Sequence, residues 1–219
     1  MGATELTPVG VLGGTFDPVH FGHLRLAEEA REQLGLAGVR WIPAGQPPHR
    51  GTPRSAPHHR LEMVRLAIAG NSAFTLDASE ALSAAPSYSV PTLTRLRESL
   101  GPRQPLLLLL GADAFLGLDT WHRWQELFAL AHIGVATRPG SPLETARLPA
   151  ALAAEFAQRR CTSPHALREA ANGCILPFSI TALDISATQL RKTLAAGGSA
   201  RYLLPAPVLD YIDEYKLYS

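Results

Sequence analysis

The chain has 219 residues, 46% of them hydrophobic and 18% charged, with 20 Lys plus Arg against 19 Asp plus Glu and a net charge of +1. This fits one globular domain, or one with a small appendage, that buries a core without disulfide staples, and it excludes general disorder. The balanced charge argues against a dedicated nucleic-acid binder while leaving room for a local basic pocket, and two cysteines, Cys161 and Cys174, imply no disulfide framework.

Met1 to Leu6 carries neither the basic start nor the apolar run of a signal peptide. Leu6 stands where a myristoylation signal needs Ser or Thr. The longest apolar block, Leu106 to Leu110, is far too short to span a bilayer. The expectation is a soluble, cytoplasmic protein with no membrane contact.

Val9 to Leu12, closed by Gly13-Gly14, reads as a buried strand. Gly22 to Leu34 has helical spacing, with Leu24, Ala27, Ala30 and Leu34 on one face, and Gly35 and Gly38 stop it. Val39 to Ile42 is the next strand, ended by Pro43. Strand, glycine turn, helix and strand make a βαβ unit, which favours a parallel sheet with right-handed crossovers. Pro43 to Pro57 is a long loop rich in Pro, Gly and basic residues, of the kind that is functional or disordered. Arg60 to Ala69 predicts a helix, Phe74 to Leu76 a strand and Ala85 to Ser89 a turn. Pro91 fits the first position of a helix through Leu100. Leu106 to Leu110, ending at Gly111, is the clearest buried strand. Trp121 to Leu130 predicts a helix, His132 to Val135 a strand, Leu148 to about Arg160 a helix and Cys174 to Leu176 a short strand. Residues 161–173 show no pattern. Ser186 to Ala196, stopped by Gly197-Gly198, and Pro207 to Tyr215 complete the helices. The reading is one α/β domain with a mostly parallel sheet.

Open parallel sheets bind ligands at the carboxyl ends of their strands. Four polar segments fall there or on the helices that follow: Gly13 to His23, Gly111-Ala112-Asp113, Arg138-Pro139-Gly140 and Ile185 to Arg191. In the first, two glycines let the backbone turn tightly, but Thr15 and Pro18 stand where a dinucleotide fingerprint needs glycine, and no Walker A motif occurs. His20 and His23 lie three apart at a helix start, with Gly22 between them leaving room for a nucleotide to lie close. Two imidazoles there can donate to phosphate oxygens. The bland alternative is a pair of surface histidines. Zinc ligation is a further alternative, without an acidic or cysteine partner at close spacing. In the last segment Ser186 or Thr188 can cap a helix, and Arg191 about one turn on can reach back over its N-terminus. The competing reading is an ordinary cap beside a solvated arginine.

Gly13-Gly14-Thr15-Phe16-Asp17-Pro18-x-His20-x-Gly22-His23 and Ile185-Ser186-Ala187-Thr188-x-x-Arg191 resemble the two signatures of the HxGH nucleotidyltransferases, and within them the bacterial nicotinate-nucleotide adenylyltransferases. Pro47-Pro48-His49-Arg50, Pro86-Ser87-Tyr88-Ser89, Gly111-x-Asp113, Thr120-Trp121, Arg138-Pro139-Gly140 and Leu204-Pro205-x-Pro207 are similar to that family in the same order. Residues 141–173 match no motif.

The resemblance implies an open, mostly parallel Rossmann-like sheet with helices on both faces. It implies a single domain over residues 1–219, with a helical segment from about 186 to 219 packed on it. The implied reaction is adenylyl transfer from ATP to nicotinate mononucleotide. It gives deamido-NAD and pyrophosphate by in-line attack, with no covalent enzyme intermediate. His20, His23 and Arg191 are the implied catalytic residues. ATP contacts are implied for Gly13, Gly14, Thr15, His20, His23, Gly111, Asp113, Arg138, Ile185, Ser186 and Arg191. Mononucleotide contacts are implied for Asp17, His49, Arg50, Tyr88, Ser89, Trp121 and His122, with Trp121 stacked on the pyridine ring. Mg²⁺ would ride on the ATP phosphates with no protein side chain as ligand. The implied partners are these two small molecules and no nucleic acid, with homo-oligomerisation left open. The rival readings are a phosphopantetheine adenylyltransferase, a class I aminoacyl-tRNA synthetase and a nucleotide sensor without turnover. The Pro-Pro-His-Arg loop and the Thr-Trp pair speak against the first, the chain length against the second and the two histidines with Arg191 against the third.

Overall fold

The computed structural model describes residues 6–48, 51–138, 140, 143 and 145–219. Among the described residues six strands, β1 (Val9–Gly14), β2 (Gly38–Pro43), β3 (Phe74–Leu76), β4 (Leu106–Gly111), β5 (His132–Thr137) and β6 (Ile175–Ser179), lie in the order β3-β2-β1-β4-β5-β6. The registers are parallel: Val9 pairs with Leu106, Leu107 with His132 and Ile133 with Ile175. Leu106 to Leu110 and His132 to Thr137 are buried along their whole length, as strands covered on both faces require. The strand order reverses between β1 and β4, the switch point outside which open α/β sheets take their ligands. The fold is α/β and Rossmann-like.

The helices are α1 (Phe21–Leu34), α2 (Pro57–Ile68), α3 (Ser89–Leu100), α4 (Ala112–Leu116), α5 (Leu127–Leu130), α6 (Ala150–Arg159), α7 (Ala166–Glu169), α8 (Ala187–Ala195) and α9 (Ala206–Glu214). Most predicted elements appear within two or three residues of their expected bounds. The helix expected from Trp121 to Leu130 does not form. That stretch holds a 3₁₀ turn at Trp124–Glu126 and only one α-helical turn, α5. Arg123 is left-handed, at φ 56°, which interrupts any right-handed helix through it. Pro91 is the third residue of α3 rather than its first. The short helices α4 and α7 were not expected.

The chain forms two compact units. One comprises the described residues of Met1–Leu12 together with Ala27–Val39 and Tyr88–Ala182. In it Arg97 donates to the carbonyls of Gly101, Pro102, Gln104, Leu130 and Ala171, so one guanidinium gathers the ends of three segments. The fully buried His132 is bonded at both nitrogens. Nδ1 accepts from the Cys174 N–H at 3.0 Å and Nε2 lies 2.9 Å from the Ala170 carbonyl, which fixes the neutral ring with its proton on Nε2. The other unit comprises Gly13–Leu26, Arg40–Ser87 and Leu183–Ser219. There α2 packs on α9, with His59 Nδ1 2.9 Å from the Tyr211 hydroxyl. The loop after β2 is tied down where it is described. The Ala44 N–H donates to the Gly14 carbonyl, and the Gly45 and Gln46 N–H groups donate to Ser87 Oγ at 2.9 and 3.2 Å. A Cβ on Gly45 would lie 2.1 Å from the Glu80 carbonyl oxygen, so only glycine fits there.

Candidate active site

The segment after β1 turns differently from the sequence expectation. Neither Gly13 nor Gly14 adopts a positive φ; the left-handed residue is Phe16, at φ 48°. Its ring folds back over Gly14, where a Cβ would meet it at 2.9 Å, whereas Gly13 faces open space. Phe16 is itself buried, with its ring centroid 5.4 Å from that of the fully buried Trp41, and that packing holds an unfavourable backbone conformation in place.

His20 sits at the N-cap position of α1 and His23 in the helix's first turn. The His20 backbone N–H donates to His23 Nδ1 at 3.3 Å, and the His20 carbonyl accepts from the N–H groups of His23 and Leu24. His23 therefore fills the place that Glu or Gln takes in a capping box. With Nδ1 accepting, the neutral ring carries its proton on Nε2. The two imidazoles stack with centroids 3.7 Å apart and planes 29° apart, and the Phe16 ring meets His23 edge-on at 5.1 Å. His20 is 6% exposed, and burial pulls its pKa down to about 4. Its Nδ1 is buried without a hydrogen-bond partner. A stack this close cannot hold two positive charges cheaply, and burial keeps His20 itself neutral at physiological pH.

Gly22 has a reason that its spacing did not reveal. A Cβ there would lie 3.0 Å from His20 Nδ1 and 3.1 Å from its Cε1. The missing side chain first makes room for the His20 ring. The Ile185 carbonyl lies further off, at 3.7 Å.

Asp17 is 5% exposed, and its carboxylate is occupied by the protein. It accepts from the Arg54 N–H at 2.7 Å, the Ser55 N–H at 3.3 Å, Ser55 Oγ at 2.6 Å and the Tyr218 hydroxyl at 2.6 Å. Its backbone carbonyl accepts from Arg191 Nη1 at 2.7 Å, and Arg191 Nη2 reaches Thr188 Oγ1 at 3.3 Å. Ser186 caps α8, its hydroxyl accepting from the Gln189 N–H at 3.2 Å. Arg60 is fully buried and donates to the carbonyls of Thr15, Ala44, Gly45 and Ser55. Burial lowers its pKa, and the neighbouring Asp17 charge opposes that shift. Gly13, Gly14, Thr15, Asp17, His20, His23, Ile185, Ser186 and Arg191 thus all fall in one unit.

The other described candidates fall in the other unit. Gly111 is the N-cap of α4 and Asp113 an exposed residue of its first turn. Arg138 is exposed just beyond β5. Ser89 opens α3 after an extended Tyr88 that offers no side-chain cap, so the first N–H groups of that helix have no intrahelical partner. The rings of Tyr88 and His122 lie 4.5 Å apart, which brings residues 88 and 122 together. Trp121 follows a 3₁₀ turn and is half-buried. His49 and Arg50 lie outside the described residues. Among the described residues, no group of three or more His, Cys, Asp or Glu is arranged to hold a metal ion.

The cytidylyltransferase-like family model matches residues 11–193. A probable nicotinate-nucleotide adenylyltransferase of Dechloromonas aromatica (strain RCB) is 61% identical over 211 residues, covering 96% of this chain and 97% of that one. The chain belongs to the nicotinate-nucleotide adenylyltransferase family. Another member, from Acidithiobacillus ferrooxidans, is 50% identical over 208 residues, covering 95% of this chain and 94% of its own. As a member of the nicotinate-nucleotide adenylyltransferase family, the chain is a nucleotidyltransferase of NAD biosynthesis. Its fold matches that of Plasmodium falciparum nicotinic acid mononucleotide adenylyltransferase complexed with NaAD, with a TM-score of 0.72 at 17% identity over 97% of each chain. No helix among the described residues is long and apolar enough to cross a membrane.

Sequence reasoning missed Arg60, Ser55 and Tyr218. None stands in a recognisable spacing, since Tyr218 is 201 residues from Asp17. An arginine on the inner face of a predicted helix, where an apolar residue is expected, is the one signal that singles out Arg60.

Proposed function

We propose that the chain transfers the adenylyl group of ATP to nicotinate mononucleotide, forming deamido-NAD and pyrophosphate, as a single cytoplasmic nucleotidyltransferase domain. The observation that carries the reading is the stacked His20–His23 pair at the start of α1, in the same unit as a capped α8 and an Arg191 docked on the Asp17 carbonyl. A helix N-terminus with imidazole and guanidinium donors suits a polyphosphate.

In the reaction, a phosphate oxygen of the mononucleotide bonds to the α-phosphorus of ATP as the bond to the bridging β-oxygen breaks, and pyrophosphate leaves with that electron pair. No enzyme nucleophile is required, because transfer at phosphorus depends on positioning and charge stabilisation. His20 and His23 donate to the triphosphate as charge develops on it. Arg191 and the Ser186 end of α8 hold the β- and γ-phosphates. Gly13, Gly14, Thr15 and Ile185 line the nucleotide, Asp113 beside Gly111 accepts from a ribose hydroxyl, and Arg138 adds charge. ATP enters as its Mg²⁺ complex, with the ion belonging to the substrate. On the acceptor side Trp121 stacks on the pyridine ring and Tyr88 supports His122. The N–H groups near Ser89 and His122 receive the nicotinate carboxylate, while His49 and Arg50 cover the phosphate. Asp17 acts as a positioning residue, since its carboxylate already holds four protein donors.

The test is pyrophosphate release from ATP with nicotinate mononucleotide, nicotinamide mononucleotide or phosphopantetheine as acceptor. Fast release with the first alone is expected. Release with phosphopantetheine, or none with any acceptor, overturns the reading.

A further inference from the structure

Tyr218 joins the hydrogen bonds around Asp17, in the unit that holds His20 and Arg191. After α9 the backbone passes through left-handed conformations at Lys216 (φ 52°) and Tyr218 (φ 67°), with the Leu217 N–H bonded to the Ile212 carbonyl at 3.0 Å. Two non-glycine residues in that region within three positions need a compensating contact. That contact is the Tyr218 hydroxyl, which donates to Asp17 Oδ1 at 2.6 Å and lies 3.1 Å from Ser55 Oγ. Burial and the Asp17 carboxylate together hold its proton on far above the ordinary tyrosine range, so it is a permanent donor.

Asp17 joins three segments. Its carboxylate fixes Arg54 and Ser55 of the loop before α2, its carbonyl docks the Arg191 guanidinium at 2.7 Å, and three residues on stands His20. Asp17 Oδ1 takes its two shortest bonds from Tyr218 and Ser55, both at 2.6 Å. Arg191 has no other anchor among the described bonds except the Thr188 hydroxyl of its own helix, at 3.3 Å.

We propose that Tyr218 is a positioning residue of the polyphosphate site: its hydroxyl holds Asp17 so that the Asp17 carbonyl presents Arg191 to the β- and γ-phosphates of ATP. The inference rests on the adenylyl-transfer reading and extends its machinery to Tyr218. Removing the hydroxyl leaves the aromatic ring in place and lets Asp17, and with it the Arg191 dock, relax by a fraction of an ångström. Weakening one charge-assisted bond from Arg191 to the phosphates is expected to cost roughly tenfold in ATP binding.

Steady-state kinetics of the full-length protein with Tyr218→Phe, alone and combined with Arg191→Ala, test this. The KM for ATP should rise about tenfold while that for nicotinate mononucleotide stays within about twofold. In the Arg191→Ala background the same substitution should cost less than about twofold, because the group it positions is gone. A merely structural tyrosine would lower the fraction of active enzyme, moving neither KM and multiplying fully with Arg191→Ala. Either of those results overturns the proposal. If Tyr218→Phe does not fold, Ser55→Ala, which removes the other hydroxyl from Asp17 Oδ1, is read in the same way. A wild-type protein that releases no pyrophosphate with any acceptor would instead refute the adenylyl-transfer reading itself.

Discussion

Replacing Gly22 with alanine separates two explanations of why a glycine stands between the histidines. The added Cβ would lie 3.0 Å from His20 Nδ1 and 3.1 Å from Cε1, a few tenths of an ångström inside ordinary van der Waals contact. The ring cannot swing freely aside, because it stacks on His23 at 3.7 Å and is 6% exposed. It must therefore tilt by a few tenths of an ångström, which misaligns a donor but leaves it present. Losing a charge-stabilising donor outright costs roughly 10²–10³ in kcat, so His20→Ala should lie in that range. Gly22→Ala should lose about 1–2 kcal/mol of that, or roughly 5–30-fold in kcat. Alanine at a helical position favours the helix by up to about 1 kcal/mol over glycine, so the folded state should hold. The assay is kcat for pyrophosphate release in wild type, both single variants and the double variant. In the His20→Ala background, Gly22→Ala should be nearly neutral, because the ring it strikes is absent. An equal loss in both backgrounds would refute the reasoning, since the methyl group would then be striking something other than His20, such as a bound nucleotide.

Stability should fall in acid through buried histidines. His20 titrates at about 4 in the folded protein against 6.5 when free, so below pH 6.5 the unfolded chain takes up the proton first and the folded state loses ground until about pH 4. That difference corresponds to about 3 kcal/mol in total and about 2 kcal/mol by pH 5. His132, also lowered by burial, adds loss in the same direction below pH 6.5. Urea unfolding at pH 7 and pH 5 should show a steeper drop in wild type than in His20→Asn, and equal slopes would count against a buried neutral His20. Arg97→Leu should lower stability by about 3 kcal/mol, or about 10 °C in Tm, because it strips the donor from five carbonyls; a Tm within about 2 °C of wild type would show that water replaces it. Trp121→Ala should raise KM for both nicotinate and nicotinamide mononucleotide while preserving their ratio, since stacking on a ring does not read its carboxylate. A changed ratio would place the discrimination at Trp121.

Much of the fold was legible because its signals are local. The Leu106 to Leu110 run, the helical spacing of Leu24, Ala27, Ala30 and Leu34 and the serine before α8 each sit in a short window and have one physical interpretation. The stretch from Trp121 to Leu130 misled because helical composition does not reveal the left-handed Arg123. The Gly13-Gly14 pair misled in the opposite sense. Glycines suggested the tight turn, but the positive φ falls on Phe16, whose packing against Trp41 outweighs its own backbone preference. The local chemistry of the candidate site, two histidines three apart and a capped helix ahead of Arg191, was readable from spacing. The framework that aims it was not. Asp17, Ser55, Arg60 and Tyr218 meet only in three dimensions, and the carboxylate of Asp17, a residue read as a mononucleotide contact, holds protein donors of that framework.

The most direct test of the central claim follows the α-phosphorus itself. With ATP labelled at the α-phosphate and nicotinate mononucleotide in excess, every label that leaves ATP should appear in deamido-NAD, matched one to one by pyrophosphate, with none on acid-quenched protein even when the acceptor is withheld. Label retained on the protein, or pyrophosphate formed without labelled dinucleotide, would contradict direct adenylyl transfer.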